Sequence, residues 1–277
     1  MTMSWTMSLT ACSHSAVIGC FEMPGTHSVT TAAAPSAASV AASAAQGEGK
    51  RDYVQQMFSD IAPRYDLLNH VLSLNIDRRW RRRALARLGW TAHPTGTFLD
   101  LCAGTLDVGA MLTRQTGFEG RVIGADFAVP MLRQGIGKAP ADRLAPVGAD
   151  ALQLPFTDAA FDGAVVAFGI RNVADLDACL REVRRVLKPG ARFVILEFST
   201  PRLAIVRAGY LFYFHRILPL IGRLVSGHGS AYTYLPLSVA QFPTETALAD
   251  RMRAAGYQTV DWERLSFGIA AIHVGTA

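Results

Sequence analysis

Apolar residues along most of this 277-residue chain fall into short runs that alternate with segments of helical periodicity. The runs are typical of buried β-strands, because each is short and ends in small or acidic residues. They predict five strands, at 98–101, 121–125, 145–148, 163–168 and 191–198. Helices are predicted near 108–115, from about 129 and at 176–187, the last of them closed by Lys188-Pro189-Gly190. This alternation predicts an α/β fold with a doubly wound, mostly parallel sheet and right-handed crossovers.

The two ends of this region differ from its middle. Apolar runs at 257–265 and 269–275 are joined only by Ser266-Phe267-Gly268, and so short a connection predicts an antiparallel hairpin. Ahead of the sheet, residues 50–88 have helical spacing that Pro63 interrupts, which predicts two or more short helices.

The loop after the first strand is the strongest candidate for a ligand site, because a strand, a tight turn and a helix start hold nucleotide-like ligands in α/β folds. Aligning Gly104 with the middle glycine of a G-x-G-x-x-G motif puts Cys102 and Asp107 where glycines should be. A carboxylate there would repel a pyrophosphate. Asp100 and Asp107 would suit a cofactor with cationic groups, such as the sulfonium and ammonium of S-adenosylmethionine. An ordinary strand–turn–helix without a ligand is the alternative.

Acids also follow the next two predicted strands. Asp126 lies about twenty residues past the glycine turn, the offset at which an acid meets ribose hydroxyls. Asp150 could accept a hydrogen bond from an adenine amino group, and the small Ala151 beside it leaves room for the ring. The backbone of Gly104 and Thr105 would face the methionine end. These five residues are the predicted cofactor contacts, and a helix cap is the alternative role for any single acid among them.

Composition restricts the class of protein without identifying it. Half of the residues are hydrophobic and 18% are charged, as in a globular protein, and the net charge of +5 permits an anionic partner without requiring one. The four cysteines form no C-x-x-C pair, so we expect no metal site and a reducing compartment. Residues 1–48 hold no Lys or Arg and a run rich in Ala, Ser and Thr, which predicts a low-complexity, disordered extension.

Two further segments carry surface chemistry. The arginine-rich run at 78–83 could bind phosphates of RNA or of a bilayer, but we favour a solvated helix face on which Trp80 is buried. The apolar stretch at 203–225 contains Arg207, Arg216 and Pro219, which argue against a membrane-spanning helix. It is expected to cover the site or to lie on a bilayer interface, with plain core packing as the alternative.

Several well-separated motifs resemble those of the ubiquinone/menaquinone biosynthesis C-methyltransferases, over about residues 51–275. The matching segments are Tyr65-Asp66-Leu67-Leu68-Asn69-His70-Val71-Leu72-Ser73, Phe168-Gly169-Ile170-Arg171-Asn172-Val173, Arg185-Val186-Leu187-Lys188-Pro189-Gly190 and Tyr232-Thr233-Tyr234-Leu235. Leu106, where many members have glycine, and Ala167, where serine is frequent, depart from the pattern.

The resemblance implies a class I methyltransferase (Rossmann-like) domain at 49–277, with a helical cover at 49–92 and an apolar insert at 202–236. It implies S-adenosylmethionine-dependent C-methylation of a polyprenylated quinol, most simply demethylmenaquinol to menaquinol. Methylation of a 2-polyprenyl-6-methoxy-benzoquinol alone is the first alternative. The resemblance also implies that Thr105, Asp126 and the pair Asp150-Ala151 contact the cofactor.

Carbon methylation requires an ionised or hydrogen-bonded phenol, because only the reduced ring has a nucleophilic carbon. Arg171 and Asn172 follow the fourth strand at the mouth of the site and are the candidates to hold the phenol oxygen. Tyr65, from the helical cover, is a candidate proton relay. An ion pair with Asp175 or Asp177 is the structural alternative for Arg171.

Two rival functions stay open at this point. An RNA methyltransferase should end its fourth strand in Asn-Pro-Pro-Tyr or Pro-Cys, whereas this chain has Ala-Phe-Gly-Ile-Arg-Asn at 167–172. A non-catalytic cofactor-binding scaffold would fit the departures at Leu106 and Ala167. We expect no nucleic acid partner and a cytoplasmic protein, with peripheral contact at the inner membrane surface and homo-oligomerisation as further expectations.

Overall fold

A computed structural model describes residues 49–62, 75–213, 216 and 229–277. The strands of the described chain are β1 Thr97–Leu101, β2 Arg121–Asp126, β3 Leu144–Gly148, β4 Phe161–Ala167, β5 Leu187–Phe198, β6 Thr259–Leu265 and β7 Ala270–Thr276. The helices are α1 Lys50–Ile61, α2 Ile76–Arg87, α3 Asp107–Thr113, α4 Val129–Gly135, α5 Leu176–Val186, α6 Ala204–Phe212, α7 Gly229–Gln241 and α8 Glu245–Ala254. Short 3-10 turns follow α2, β4 and β6.

All seven strands form one sheet in the order β3-β2-β1-β4-β5-β7-β6. The first five are parallel, and β7 runs antiparallel to both β5 and β6. The predicted doubly wound sheet with a C-terminal hairpin is thereby confirmed. The strand order reverses between β1 and β4, so the carboxyl ends of these strands open a crevice of the kind that binds ligands in α/β folds.

The sheet is buried on both faces. In β5, Phe193 and Ile195 pack in a core cluster with α5 and α8. Val194 and Leu196 point to the opposite face and pack with α2 and α3. A strand covered on both sides has no polar face, which is why the parallel strands read as continuous apolar runs rather than as alternating ones.

The start of β5 differs from the prediction. The structure ends α5 at Val186 and starts the strand at Leu187, so Lys188-Pro189-Gly190 lies inside β5 rather than before it. The register to β4 shifts there, from Phe161 opposite Leu187 to Gly163 opposite Arg192. Gly190 has a φ of 80°, a left-handed conformation that costs glycine little and gives the bulge its shape.

Three arginines of α2 are held in ion pairs. Arg81 is buried and pairs with Asp107 at 3.2 Å, while Arg83 and Arg87 both reach Glu263, at 2.6 and 3.3 Å. Trp80 is buried against Phe168 and Phe198, as we expected for a helix face packed on the sheet. The structure therefore favours a packing role for these residues over phosphate binding.

No helix in the described ranges is long and apolar enough to cross a membrane. Within the apolar insert, α6 buries only Tyr210 and exposes Ile205 and Phe212. Tyr65 lies outside the described residues, as does most of the stretch from 214 to 228.

Candidate active site

A pocket opens at the carboxyl ends of β1, β2 and β4, with an empty volume of about 740 Å³ that includes solvent at its mouth. Four of the five predicted cofactor contacts line it: Gly104, Asp126, Asp150 and Ala151. The fifth, Thr105, is buried beside Gly135 of α4 and is not part of the lining, so the structure does not bring its side chain into the pocket.

Asp126 ties the end of β2 to the loop after β1. One carboxylate oxygen accepts the N–H of Gly104 at 2.8 Å, and the other accepts the N–H of Ala128 at 2.8 Å. Gly104 has a φ of 52°, within the left-handed region that glycine adopts readily. Burial raises the pKa of Asp126, and the backbone N–H groups of Ala128, Gly104 and Phe127 oppose that rise. Each carboxylate oxygen has a further lone pair, so Asp126 can also accept from ligand hydroxyls.

Asp150 is held by a local turn and by a cation from another element. Its Oδ1 accepts the N–H of Leu152 at 3.0 Å, and its Oδ2 lies 3.0 Å from the guanidinium of Arg51 on α1. Arg51 itself lines the pocket. The acid at the end of β3 therefore faces the pocket with its charge already partly compensated.

The helix α1, part of the expected helical cover, spans the pocket from one strand end to the next through contacts that were not predicted from the sequence. The Lys50 ammonium donates to the carbonyls of Arg171 and Val173 at 3.0 and 2.8 Å, beyond the end of β4. The Gln55 amide donates to the carbonyl of Phe127 at 2.9 Å, beyond the end of β2. With Arg51 on Asp150, these contacts fix α1 to three strand ends.

The predicted role of Asp107 is wrong. Its carboxylate lies 3.2 Å from Arg81 and 2.6 Å from Lys138, and it does not line the pocket. Asp100 is also outside the lining, 1% exposed, and accepts the N–H of Gly109 at 2.8 Å at the start of α3. Burial raises the pKa of Asp100 to about 7. These two acids shape the loop rather than face a ligand.

Arg171 sits in a buried polar network. Its Nη1 donates to Glu197 Oε1 at 2.9 Å and to the carbonyl of Phe168, and its Nε donates to Ser238 Oγ at 3.2 Å. The guanidinium lies 5.6 Å from the centre of the Phe198 ring. Burial raises the pKa of Glu197, and the charge of Arg171 opposes that rise. Glu197 is thus the counter-ion that fixes Arg171.

The alternative prediction for Arg171, an ion pair with Asp175 or Asp177, is therefore wrong, because Arg171 pairs with Glu197 instead. Asp175 caps α5 by accepting the N–H of Ala178 at 2.9 Å, and Asp177 pairs with Arg251 at 3.4 Å. Glu197 was missed, although it too is an acid near the carboxyl end of a parallel strand. The rule that pointed to Asp126 and Asp150 would have found it.

An unpartnered polar atom lies on this side of the pocket. Asn172 lines the pocket, and its Oδ1 is buried without a hydrogen-bond partner among the described residues. The adjacent Arg171 donates hydrogen bonds from its backbone N–H, Nε and Nη1. Asn172 Oδ1 can therefore accept a hydrogen bond from a ligand in the pocket.

The residues fit a cationic, nucleoside-containing cofactor better than a dinucleotide. Acceptor-only carboxylates at two strand ends suit ribose hydroxyls and an amino group, whereas they would repel a pyrophosphate. Phe127, Met131 and Leu152 supply apolar wall for a base. Sheet order and pocket together define a class I methyltransferase that uses S-adenosylmethionine. A structure of such an enzyme from Thermotoga maritima, a possible histamine N-methyltransferase, shares the fold with a TM-score of 0.53 and 19% identity, covering 80% of this chain and 98% of that one.

The chain belongs to the ubiE/COQ5 methyltransferase family, whose model matches residues 46–277. It is 51% identical over 222 residues to a demethylmenaquinone methyltransferase of Thermus thermophilus, covering 79% of this chain and 99% of the relative. It is 44% identical over 230 residues to a ubiquinone/menaquinone biosynthesis C-methyltransferase of Geobacter sulfurreducens, covering 82% and 89%. The family resemblance read from the sequence motifs is thereby confirmed.

Proposed function

We propose that this chain transfers the methyl group of S-adenosylmethionine to a ring carbon of a polyprenylated quinol, converting demethylmenaquinol to menaquinol. The observation that carries the proposal is an acid-lined pocket that Asn172 also lines, with the adjacent Arg171 held in place by Glu197. Relatives called demethylmenaquinone methyltransferase favour the naphthoquinol over a benzoquinol as the acceptor. An RNA acceptor has no support, because Arg81, Arg83 and Arg87 of α2 are engaged in ion pairs with acids of this chain.

In this proposal the cofactor, when bound, supplies an electrophilic methyl group on a sulfonium. Asp126 would accept from the ribose hydroxyls, Asp150 would accept from the adenine amino group, and Ala151 would leave space for the ring. Gly104 would meet the amino-acid end through its backbone. Thr105 would act by shaping the loop, since its side chain is buried away from the lining.

Arg171 and Asn172 would act on the acceptor. A phenolate oxygen placed against Nη2 of Arg171 is stabilised by charge, and an oxygen still carrying its proton can donate it to Oδ1 of Asn172. Ionisation of the phenol raises electron density on the ring carbons next to that oxygen. Holding the reacting carbon in line with the methyl group and the sulfur lowers the barrier further. Tyr65 as a proton relay stays a prediction.

Peripheral membrane contact is part of the proposal, because a polyprenylated acceptor resides in a bilayer. The α6 residues Ile205 and Phe212 are 84% and 61% exposed; Arg207 lies on the same helix, and Arg202, 3.9 Å from Glu245, precedes it. Apolar side chains flanked by cations suit an anionic bilayer surface. Replacing Ile205 and Phe212 by serine should reduce binding to phosphatidylglycerol vesicles, whereas replacing the exposed Ile136 of α4's end should not.

A methyl-transfer assay tests the function itself. Labelled S-adenosylmethionine is incubated anaerobically with demethylmenaquinol, a demethylated benzoquinol precursor or RNA, and label in each product is counted. We expect transfer to demethylmenaquinol and a loss of turnover of a hundredfold or more in Arg171→Ala, on the order of what losing one charge-stabilising donor costs. Cofactor affinity should be retained in that variant. Absence of transfer to either quinol, with the cofactor bound, would contradict the proposal.

A further inference from the structure

Two buried tyrosine hydroxyls have no role in the chemistry described so far. The hydroxyls of Tyr53 on α1 and Tyr234 on α7 are buried without a hydrogen-bond partner among the described residues. Their ring centroids lie 5.9 Å apart at an interplanar angle of 54°, and Tyr234 is 2% exposed. Buried hydroxyls are nearly always hydrogen-bonded, so two adjacent exceptions require an explanation.

Both tyrosines flank the turn that carries Arg171 and Asn172. Lys50, one helical turn before Tyr53, donates to the carbonyl of Arg171. Ser238, one turn after Tyr234, accepts from Nε of Arg171. Residues three and four apart lie on one face of a helix, so both tyrosines are on the faces that α1 and α7 turn toward Arg171.

A third unpartnered atom belongs to the same place. Asn172 Oδ1 is buried without a partner among the described residues; Asn172 lines the pocket, whereas Tyr53 and Tyr234 are not among the residues that line it. Three elements that meet at one turn thus each contribute a polar atom with unused hydrogen-bonding capacity. Their grouping indicates a site completed by a ligand that brings more than one polar group, because scattered packing faults would not converge on one turn.

We infer that Tyr53 and Tyr234 bind the second oxygen of the quinol, the one on the ring position opposite the oxygen held by Arg171. The inference rests on the proposed function and deepens it, because it concerns how that acceptor is recognised. A p-quinol differs from a simple phenol by this second oxygen. The tyrosine pair would therefore select a quinol and fix which of its two oxygens faces Arg171.

The tyrosine pair and Arg171 differ in charge, and this difference suits the two oxygens of the quinol to different roles. Burial raises the pKa of Tyr234 to about 12, and burial also raises the pKa of Tyr53, so both hydroxyls stay neutral donors at neutral pH. A neutral donor leaves the oxygen it binds less ionised than the oxygen beside a guanidinium. Only the carbons next to the ionised oxygen then become strongly nucleophilic, which would direct methylation to one side of the ring.

The test compares Tyr53→Phe and Tyr234→Phe with wild type on two acceptors, the short-chain quinol and the corresponding monophenol that lacks the second oxygen. We expect each variant to lower kcat/KM for the quinol roughly tenfold and to leave the value for the monophenol unchanged, the loss typical of one hydrogen bond. S-adenosylmethionine affinity should not change. Thermal stability should not fall, because phenylalanine removes an unsatisfied hydroxyl and keeps the ring.

Tyr257→Phe is the matched control. Its hydroxyl is buried but donates to the carbonyl of Leu180 at 3.2 Å, and its ring stacks on Phe193, four residues before Glu197 on β5. It should lower the melting temperature and leave both kinetic values unchanged.

The outcomes separate the inference from the function it rests on. Wild type that fails to methylate the quinol contradicts the proposed function. Wild type that is active but has equal kcat/KM values for the quinol and the monophenol overturns the inference alone. Tyrosine variants whose kcat/KM falls equally for both acceptors also overturn it. The wild-type ratio decides the matter even if a variant does not fold.

Discussion

Glu197 provides the sharpest test of the site, because its carboxylate holds the guanidinium of Arg171 in position. It is 2% exposed and accepts from Nη1 of Arg171 at 2.9 Å and from the N–H of Phe198 at 2.8 Å. Glu197→Gln keeps the shape and one acceptor oxygen but removes the charge. The guanidinium, with its side chain 8% exposed, would then be buried without a counter-ion.

Breaking a buried ion pair by removing one partner costs about 3–5 kcal/mol, against a total stability of about 5–15 kcal/mol for a typical domain. We expect Glu197→Gln to lose stability in that range, measured by urea unfolding at pH 7. We also expect kcat to fall at least tenfold while S-adenosylmethionine affinity is retained, because no acid that lines the pocket is altered. The double variant Glu197→Gln, Arg171→Met, which has no buried charge at the pair, should recover most of the stability and none of the activity.

The pH dependence of Arg171→Met provides an independent check. Burial raises the pKa of Glu197, and Arg171→Met removes the guanidinium that opposes that rise and leaves only backbone N–H groups to do so. A pKa that is higher in the folded than in the unfolded chain gives stability that is full below the unfolded value and lost as pH rises. Arg171→Met should therefore lose stability between about pH 5 and pH 8 relative to wild type. Equal stability losses at both pH values, or a Glu197→Gln variant as stable and active as wild type, would refute the reasoning.

Three further predictions concern other parts of the chain. Leu106→Gly should lower the free energy of unfolding by about 1–4 kcal/mol, because removing a buried leucine costs about 2–5 kcal/mol while relief of its φ of 65° returns about 1 kcal/mol. Calorimetric unfolding measures this loss. Cofactor affinity should not change, because the side chain packs on Gly124 and Gly135 and not in the pocket. Burial opposes ionisation of Glu245, but hydrogen bonds from Arg264 and Ser199 prevail and lower its pKa to about 2. That stabilisation is present above the unfolded pKa and lost as pH falls toward 2, so the difference in urea stability between wild type and Arg264→Met should shrink from pH 7 to pH 3. Lys50→Met should speed dissociation of S-adenosylmethionine in stopped-flow measurements, because α1 loses its two bonds beyond β4; an unchanged rate would mean that α1 does not gate the pocket.

The fold followed from the sequence because its signals are local. The central parallel strands are buried on both sides, so a run of apolar residues marks each of them, and acids such as Asp126 and Asp150 mark the ends of β2 and β3. The same rule applies to Glu197, one residue before the end of β5, but it does not say that Arg171 is the residue Glu197 pairs with. Sequence proximity favoured Asp175 and Asp177, whereas Glu197 is brought in by pairing of β4 with β5, which sets Ala167 opposite Leu196.

Side-chain direction in the loop after β1 was equally hidden. Cys102, Gly104 and Leu106 all have positive φ, at 50°, 52° and 65°. Alternating backbone conformations of this kind turn successive side chains to different sides, so adjacency in sequence to Gly104 did not place Thr105 or Asp107 in the pocket. Two of these residues are not glycine, and nothing in the local pattern announced that they would adopt this conformation.

Acids line the pocket, and a compensated cation, Arg171, adjoins it beside Asn172. Methyl transfer from a sulfonium to a phenolate converts two opposite charges into neutral products, so surroundings that solvate charge poorly favour the transition state over the separated ions. In the proposed function Asp126 and Asp150 bind the neutral ribose and adenine groups of the cofactor, and Arg171 counters the anion. Arg171 without Glu197 would be left as a bare buried charge once the phenolate is consumed. Glu197 removes that penalty in advance, which is why its loss should reduce turnover as well as stability.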